Sequence, residues 1–241
     1  ATGVWAEENT RAAIFDAMLR KETYGTSGPL IRLRFFGGWN SPKDLVEDKN
    51  FVEKAYKGGV PMGGDLPKEA GKAPTFAVWA LKDPESGNLD RIQIIKGFIN
   101  KWGRTDEKIY DVIWSDEDKR QIDKASGKLP PVGNTVDIKK ATYTNDIGAT
   151  QLRTVWTDPD FDPGQRAVYY VRVLEIPTPR WSTYDAVRNN LPLSKDVPAT
   201  IQERAWSSPI WYTPPRDVLI EAKLKKLTGQ DWGATTYHPK N

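Results

Sequence analysis

Ala-Val-Tyr-Tyr-Val-Arg-Val-Leu-Glu-Ile (167–176) has the strongest β composition in the chain. β-branched and aromatic residues fit a pleated, half-buried surface, so a strand is expected over Arg166–Ile176. Upstream of it, Thr75–Lys82 sets Phe76, Val78 and Ala80 against Ala77, Trp79 and Leu81, a strand with both faces covered. Asp83–Asn88 is a turn, and Leu89–Phe98, Lys108–Trp114, Thr135–Tyr143 and Gln151–Trp156 are read as further strands. Downstream, Ile210–Tyr212 is a last strand and Thr183–Asn189 a short helix. Strands at this spacing, separated by Gly/Pro turns and without long intervening helices, predict a mainly β chain folded as an antiparallel β-sandwich.

A helix is expected at each end. Residues 10–21 carry Ile14, Phe15, Met18 and Leu19 at helical spacing after Asn9 or Thr10 as N-cap, and the stripe reads as core. Asp217–Leu227 reads as the C-terminal helix, with Gly229 as its stop. The N-terminal helix runs into Glu-Thr-Tyr-Gly-Thr-Ser-Gly-Pro (22–29) and then the first strand, Leu-Ile-Arg-Leu-Arg-Phe-Phe (30–36). In that strand Ile31, Leu33 and Phe35 share one face and Arg32 and Arg34 the other. Such arginines ordinarily make a wet face, and bind anions where the sheet lines a cleft. The hydroxyls of Tyr24, Thr26 and Ser27, set among Gly25 and Gly28, either cap backbone groups of a turn or point at a ligand. A helix over Phe51–Tyr56 precedes the glycine cluster 58–64, which lacks the Lys-Ser/Thr pair of a phosphate loop and reads as loop or close backbone packing.

The 241 residues are 38% hydrophobic and 28% charged, with 19 Gly, 18 Pro, 10 Trp and no Cys. Without cysteine there is no disulfide, thiolate metal site or cysteine nucleophile, and the compartment stays open. The single histidine, His238, cannot build a Ser-His-Asp triad or a multi-histidine metal site. A net charge of +3 from scattered basic residues gives no nucleic-acid footprint, and no apolar run reaches the ~18 residues of a membrane span. Asp158-Pro-Asp160-Phe-Asp162-Pro-Gly164 spaces carboxylates like a calcium loop, but Pro163 and Tyr169 stand where that loop needs Gly and Glu, so a turn is expected. Trp79, Trp102, Trp114, Trp156, Trp181, Trp206 and Trp211, with Tyr169, Tyr170 and Tyr212, read as core, or alternatively as a sugar-stacking platform. The opening Ala-Thr-Gly, without Met, reads as a processed chain or a fragment.

Several blocks together carry a resemblance. They are Val-Trp-Ala-Glu-Glu-Asn-Thr-Arg (4–11), Glu-Thr-Tyr-Gly-Thr-Ser-Gly-Pro (22–29), Gly-Val-Pro-Met-Gly-Gly (59–64) and Leu-Asp-Arg-Ile-Gln-Ile-Ile-Lys-Gly (89–97). Gly-Asn-Thr-Val-Asp (133–137), Ala-Thr-Tyr-Thr-Asn (141–145), and the long blocks 169–181 and 202–214 continue it. Up to about Pro214 the chain resembles the C-terminal part of the domain-of-unknown-function 3604 family. That family is similar to the polymerase-and-histidinol-phosphatase (PHP) metal-dependent hydrolases, whose distorted barrel holds divalent metals on a His-x-His and an Asp-x-His motif. Neither motif is in this sequence. The resemblance implies that residues 1–29 are the terminal helix and turn of an upstream barrel, 30–214 the β-sandwich, and 215–241 a C-terminal helix and tail. It further implies that this chain binds no cofactor, with the divalent metal ions on an N-terminal segment of the same protein. It implies an ester or phosphoester substrate, and a cleft-facing role for Tyr24, Thr26 and Ser27. The alternatives are a non-catalytic module binding carbohydrate and a structural or oligomerisation domain.

Overall fold

In the computed structural model, which describes residues 1–69, 72–100, 102–216 and 218–220, the β-rich run forms the first part of β9 (Ala167–Pro179). Its side chains alternate between buried and partly exposed, the period-2 pattern of a strand with one face on a core. One flank pairs with β6 (Leu89–Ile99), which pairs in turn with β7 (Thr105–Trp114). The other flank pairs with β10 (Thr200–Ser207) and, further along, β11 (Ile210–Tyr212). β10 continues the sheet to β2 (Thr23–Thr26) and β1 (Thr2–Val4), making seven strands. A second sheet orders β4 (Gly59–Pro61), β3 (Arg32–Gly38), β5 (Thr75–Leu81) and β8 (Gln151–Thr157). All these pairings are antiparallel, and the chain is a mainly β sandwich.

The two sheets meet through one apolar core. Leu33, Phe35, Phe76, Val78, Ala80 and Leu152 come from the four-stranded sheet, and Ile92, Ile94, Tyr169, Val171, Val173 and Ala205 from the seven-stranded one. Phe76 joins them, its ring centroid 4.4 Å from Tyr169 and 5.6 Å from Phe35. The outer face of the smaller sheet is covered in part by α2 (Phe51–Gly58) and a 3-10 turn (Leu45–Glu47), which bury Phe36 and Ala77.

One end of the sandwich is closed by a buried charge cluster. Lys96 lies opposite Tyr169 on the inner face, and its Nζ donates to Asp158 Oδ2 (2.7 Å) and to the Asp160 carbonyl (2.8 Å). Tyr169 donates to the same Asp158 oxygen (2.7 Å), and burial together with that carboxylate pushes its phenol above the usual range. The acidic stretch 158–162 is a turn, as expected, but Asp158 is 2% exposed and neutralises a core lysine. The loop so anchored carries Phe161 into an aromatic triad with Trp39 and Tyr212.

Two expectations are corrected. α1 (Arg11–Leu19) is capped by Thr10, one of the two expected N-caps, but its stripe is not core: Phe15, Met18 and Leu19 are 58%, 56% and 63% exposed, and Ala17 is the buried residue. The reason lies at the helix end. Lys21 takes a left-handed conformation (φ 60°), its N–H returns to Met18 and that of Glu22 to Ala17. Gly63 (φ 89°) packs so closely on this turn that a Cβ there would stand 2.4 Å from the Lys21 carbonyl oxygen. The backbone pins the helix by its Ala17 side, whatever the stripe prefers. Thr135–Tyr143 is not a strand. The Asp137 carboxylate accepts the N–H groups of Lys139 and Lys140, turning the chain so that only Asp137 and Thr142 bridge. Of the two readings of the glycine run 58–64, loop or close backbone packing, the second holds: Gly58 ends α2, Gly59–Pro61 form β4, and the approach of β4 to β3 leaves no room for a Cβ at Gly59. Of the expected C-terminal helix only Val218–Ile220 are described, and they are helical; Asp217, 221–241 and with them His238 lie outside the described residues. No helix among the described residues is long and apolar enough to cross a membrane.

Two stability predictions follow from the buried charges. Asp158→Ala strands the Lys96 ammonium in the core and should cost about 3–5 kcal/mol in urea unfolding, against about 1 kcal/mol for Tyr169→Phe, which leaves the ion pair intact. Equal effects would mean that the ion pair carries no special weight. Glu175 is fully buried; burial raises its carboxyl to about 7, with Glu203 and Asp83 adding to the rise while the Ser86 hydroxyl and Lys82 oppose it. The native state then holds a proton that the unfolded chain has released, so stability falls as pH rises from about 4.5 to about 7. Above that window the ionised group costs up to about 3 kcal/mol. Glu175→Gln should unfold later than the parent at pH 8 and lose the advantage at pH 4; a constant difference across that range would contradict the assignment.

Candidate functional site

β4 pairs only with the Phe36–Gly38 end of β3, which leaves the Arg32–Arg34 end of that strand without a sheet neighbour on one side. Trp5, just past β1, fills part of the space, its indole N–H donating to the Leu33 carbonyl (2.8 Å) and its backbone N–H to the Glu22 carbonyl (3.1 Å). Arg34 lies over the Trp5 ring, with its guanidinium carbon 3.3 Å from the ring centroid. The chain reversal after α1 delivers Glu22 to the same spot from the opposite side.

Glu22 is the hub. It is 3% exposed, receives the Tyr56 hydroxyl, and faces Arg20 Nη2 at 3.5 Å and Arg34 Nη1 at 3.7 Å. Arg34 Nη1 also donates to Tyr56 Oη (3.2 Å). Burial and the Glu22 carboxylate push the Tyr56 phenol up to about 12. Tyr56 as a whole is 41% exposed, so the effect belongs to its hydroxyl end, which is turned in towards Glu22. Trp5, Ala6, Glu7, Arg20, Glu22, Arg34 and Tyr56 line a cavity of about 460 Å³. A second, of about 210 Å³, shares Trp5 and Arg34 and adds Arg32, Val52, Trp79 and Leu81. The two form one groove on the outer face of the smaller sheet. A hollow of about 530 Å³ also borders α2, but its only charged wall groups are Lys54 and Glu69, and Lys54 is held by Asp48.

Tyr24, Thr26 and Ser27 lie on and just after β2, none of them lines the groove, and they face different neighbours. The Tyr24 ring packs on Gly3, 6.2 Å from Trp5, and burial raises its phenol. Thr26 Oγ1 is buried without a hydrogen-bond partner among the described residues. Ser27 Oγ donates to the Glu203 carboxylate and accepts the Arg204 N–H (2.8 Å), tying β2 to β10. Sequence reasoning singled out Arg32 and Arg34 but missed Glu22, Arg20, Trp5 and Tyr56. Glu22 opens the stretch 22–29, whose hydroxyls are its conspicuous chemistry, and nothing in the pattern of α2 marks Tyr56.

The groove does not fit a metal ion. Its carboxylates are Glu7 and Glu22, and Glu22 is already engaged by two arginines and a tyrosine. Among the described residues no group of three or more His, Cys, Asp or Glu stands together as metal ligands. The expected tryptophan core holds for Trp79 and Trp156, which are partly buried and pack against core residues; Trp114 is partly buried with its indole N–H on the Arg120 carbonyl. Trp102, Trp181, Trp206 and Trp211 are exposed. Cross-strand pairing with Arg172 and Val168 puts Trp206 and Trp211 on the outer face of the larger sheet.

If Glu22 organises this cluster, Glu22→Ala should leave Arg34 facing Arg20 unneutralised and cost about 2–3 kcal/mol in urea unfolding. Tyr56→Phe, which removes one hydrogen bond to a charged group, should cost about 1.5–3 kcal/mol. The double variant should fall short of the sum, and full additivity would separate the two residues.

Residues 1–214 match the family described as protein of unknown function (DUF3604). Comparison with curated proteins and with solved structures returned no match.

Proposed function

The chain belongs to the DUF3604 family, and from that premise we propose that it is the C-terminal β-sandwich portion of a PHP-like metal-dependent hydrolase of esters or phosphoesters. In this reading the divalent metal ions sit on an N-terminal segment of the same protein, and no step of their chemistry is assigned to residues here. This chain contributes a wall: the groove of Trp5, Arg20, Glu22, Arg34 and Tyr56, and the face of α1 beside it. In this reading Tyr24 and Thr26 on β2, with Ser27 after it, are the cleft-facing candidates.

The observation that carries the reading is the exposure of Phe15, Met18 and Leu19 on a nine-residue helix. A helix this short is marginal in water, and an apolar stripe on it calls for a covering surface. The upstream segment would supply that cover, bringing its own site up to the arginine groove. A second reading, a carbohydrate-binding module, draws on Trp206 and Trp211, exposed on one sheet face at positions four residues apart along β9, roughly 13 Å.

The test compares this chain with a longer form of the same protein that carries the segment. With p-nitrophenyl phosphate and acetate and added Mn²⁺ or Zn²⁺, the present chain should give no turnover and the longer form should. Phe15→Ser/Leu19→Ser should lower turnover by about tenfold or more through weakened docking. Metal-dependent turnover by this chain alone, in a preparation free of other hydrolases, would overturn the proposal. So would an inactive longer form; binding to insoluble polysaccharide lost in Trp206→Ala/Trp211→Ala would then favour the second reading.

A further inference from the structure

The smaller part of the groove has two arginines in its wall and no carboxylate: Trp5, Arg32, Arg34, Val52, Trp79 and Leu81. Arg34 shares Glu22 with Arg20, so that single buried carboxylate answers two guanidinium groups. Arg32, two residues along the same strand face, is exposed and makes no ion pair or hydrogen bond with the described residues. Cations gathered on one side of a half-enclosed surface repel each other and concentrate anions. Arg34 cannot swing away to relieve this. Its guanidinium carbon sits 3.3 Å from the Trp5 ring centroid and Nη1 is taken up by Tyr56 and Glu22, which leaves its other donors for a ligand.

The rest of the wall is apolar and aromatic. Trp79 lies opposite Arg34 and Leu81 opposite Arg32 on the neighbouring strand, and Val52 comes from α2. Trp79 is itself fixed, its indole N–H donating to Gln151 (3.1 Å) and its ring edge-on to Phe51 at 5.9 Å. A rigid aromatic wall beside a pre-oriented guanidinium is an arrangement that pays little entropy on binding. It favours a ligand with a flat apolar body and a single anionic head, the body against Trp79 and Leu81 and the head at Arg32 and Arg34.

We infer that this groove is a binding site for a small aromatic anion, a carboxylate or a phosphate carried on a planar ring. Arg32 supplies the uncommitted charge, Arg34 the fixed fork, and Trp79 the stacking wall. The site is independent of the hydrolase reading, although within that reading the same anion would be part of the substrate.

Ligand-observed NMR and calorimetry on the full chain test it, with benzoate, phenyl phosphate, acetate and benzyl alcohol as probes. At least one aromatic anion should bind with Kd on the order of 1 mM or tighter, and the tighter of the two identifies the head group. Acetate and benzyl alcohol, each lacking one half of the ligand, should bind about tenfold more weakly or not at all. Arg32→Ala, at an exposed position and checked for an unchanged melting temperature, should weaken the aromatic anion about tenfold, and added salt should do likewise. Absence of binding by both aromatic anions, binding unchanged in Arg32→Ala, or acetate and benzyl alcohol binding equally well would each overturn the inference. Binding that persists when the longer form shows no turnover would refute the hydrolase reading and leave this one standing.

Discussion

A lysine ammonium inside a sandwich core must be neutralised where it stands, and much of the architecture follows from how Lys96 is neutralised. The lysine belongs to β6 and Tyr169 to β9, both in the larger sheet; Asp158 belongs to the loop leaving β8 in the smaller one. Isolated, each charge would carry a desolvation penalty of several kcal/mol, so the two sheets and the loop are held to one arrangement in which donor and acceptor meet. That arrangement also places Phe161 against Trp39 and Tyr212, closing the end of the core. The apolar core supplies most of the driving force, and the ion pair selects one register for it.

The groove follows the opposite electrostatic rule. Within the core Lys96 finds Asp158 and Arg120 finds Asp90, while Arg91 reaches both Asp90 and Asp111, so the arginines there do not outnumber their carboxylates. Around β3, Glu22 answers two arginines and Arg32 has no partner among the described residues. Exposure makes such an excess affordable, because water screens what the interior cannot. The stacking of Arg34 on Trp5 and its hold on Tyr56 keep the excess in a fixed place.

Strands with a strong period-2 pattern and a long apolar run were legible with small shifts at their ends: β5, β6, β8, β9 and β11 lie where composition put them. β7 begins earlier than expected, at Thr105, because its first residues are polar and strand only by pairing with β6. β1, β2, β4 and β10 carry too little apolar periodicity to announce themselves; β10 reads Thr-Ile-Gln-Glu-Arg-Ala-Trp-Ser and becomes a strand because β9 and β2 lie on either side of it. Of the site, Arg32 and Arg34 were visible as alternate positions on a strand. Glu22, Trp5 and Tyr56 come from three separate stretches, and local spacing holds no record of their meeting.

The sequence by itself determined the class of fold, the central strand and the absence of any cysteine chemistry, because each depends on composition or on residues that are near neighbours in the chain. Only the tertiary structure decided which face of α1 is buried, that Asp158 neutralises Lys96, and that two arginines line a groove instead of an open surface. These are contacts between residues from 12 to 62 positions apart. Their energies depend on distance and burial, quantities that exist only once the sheets have closed on each other.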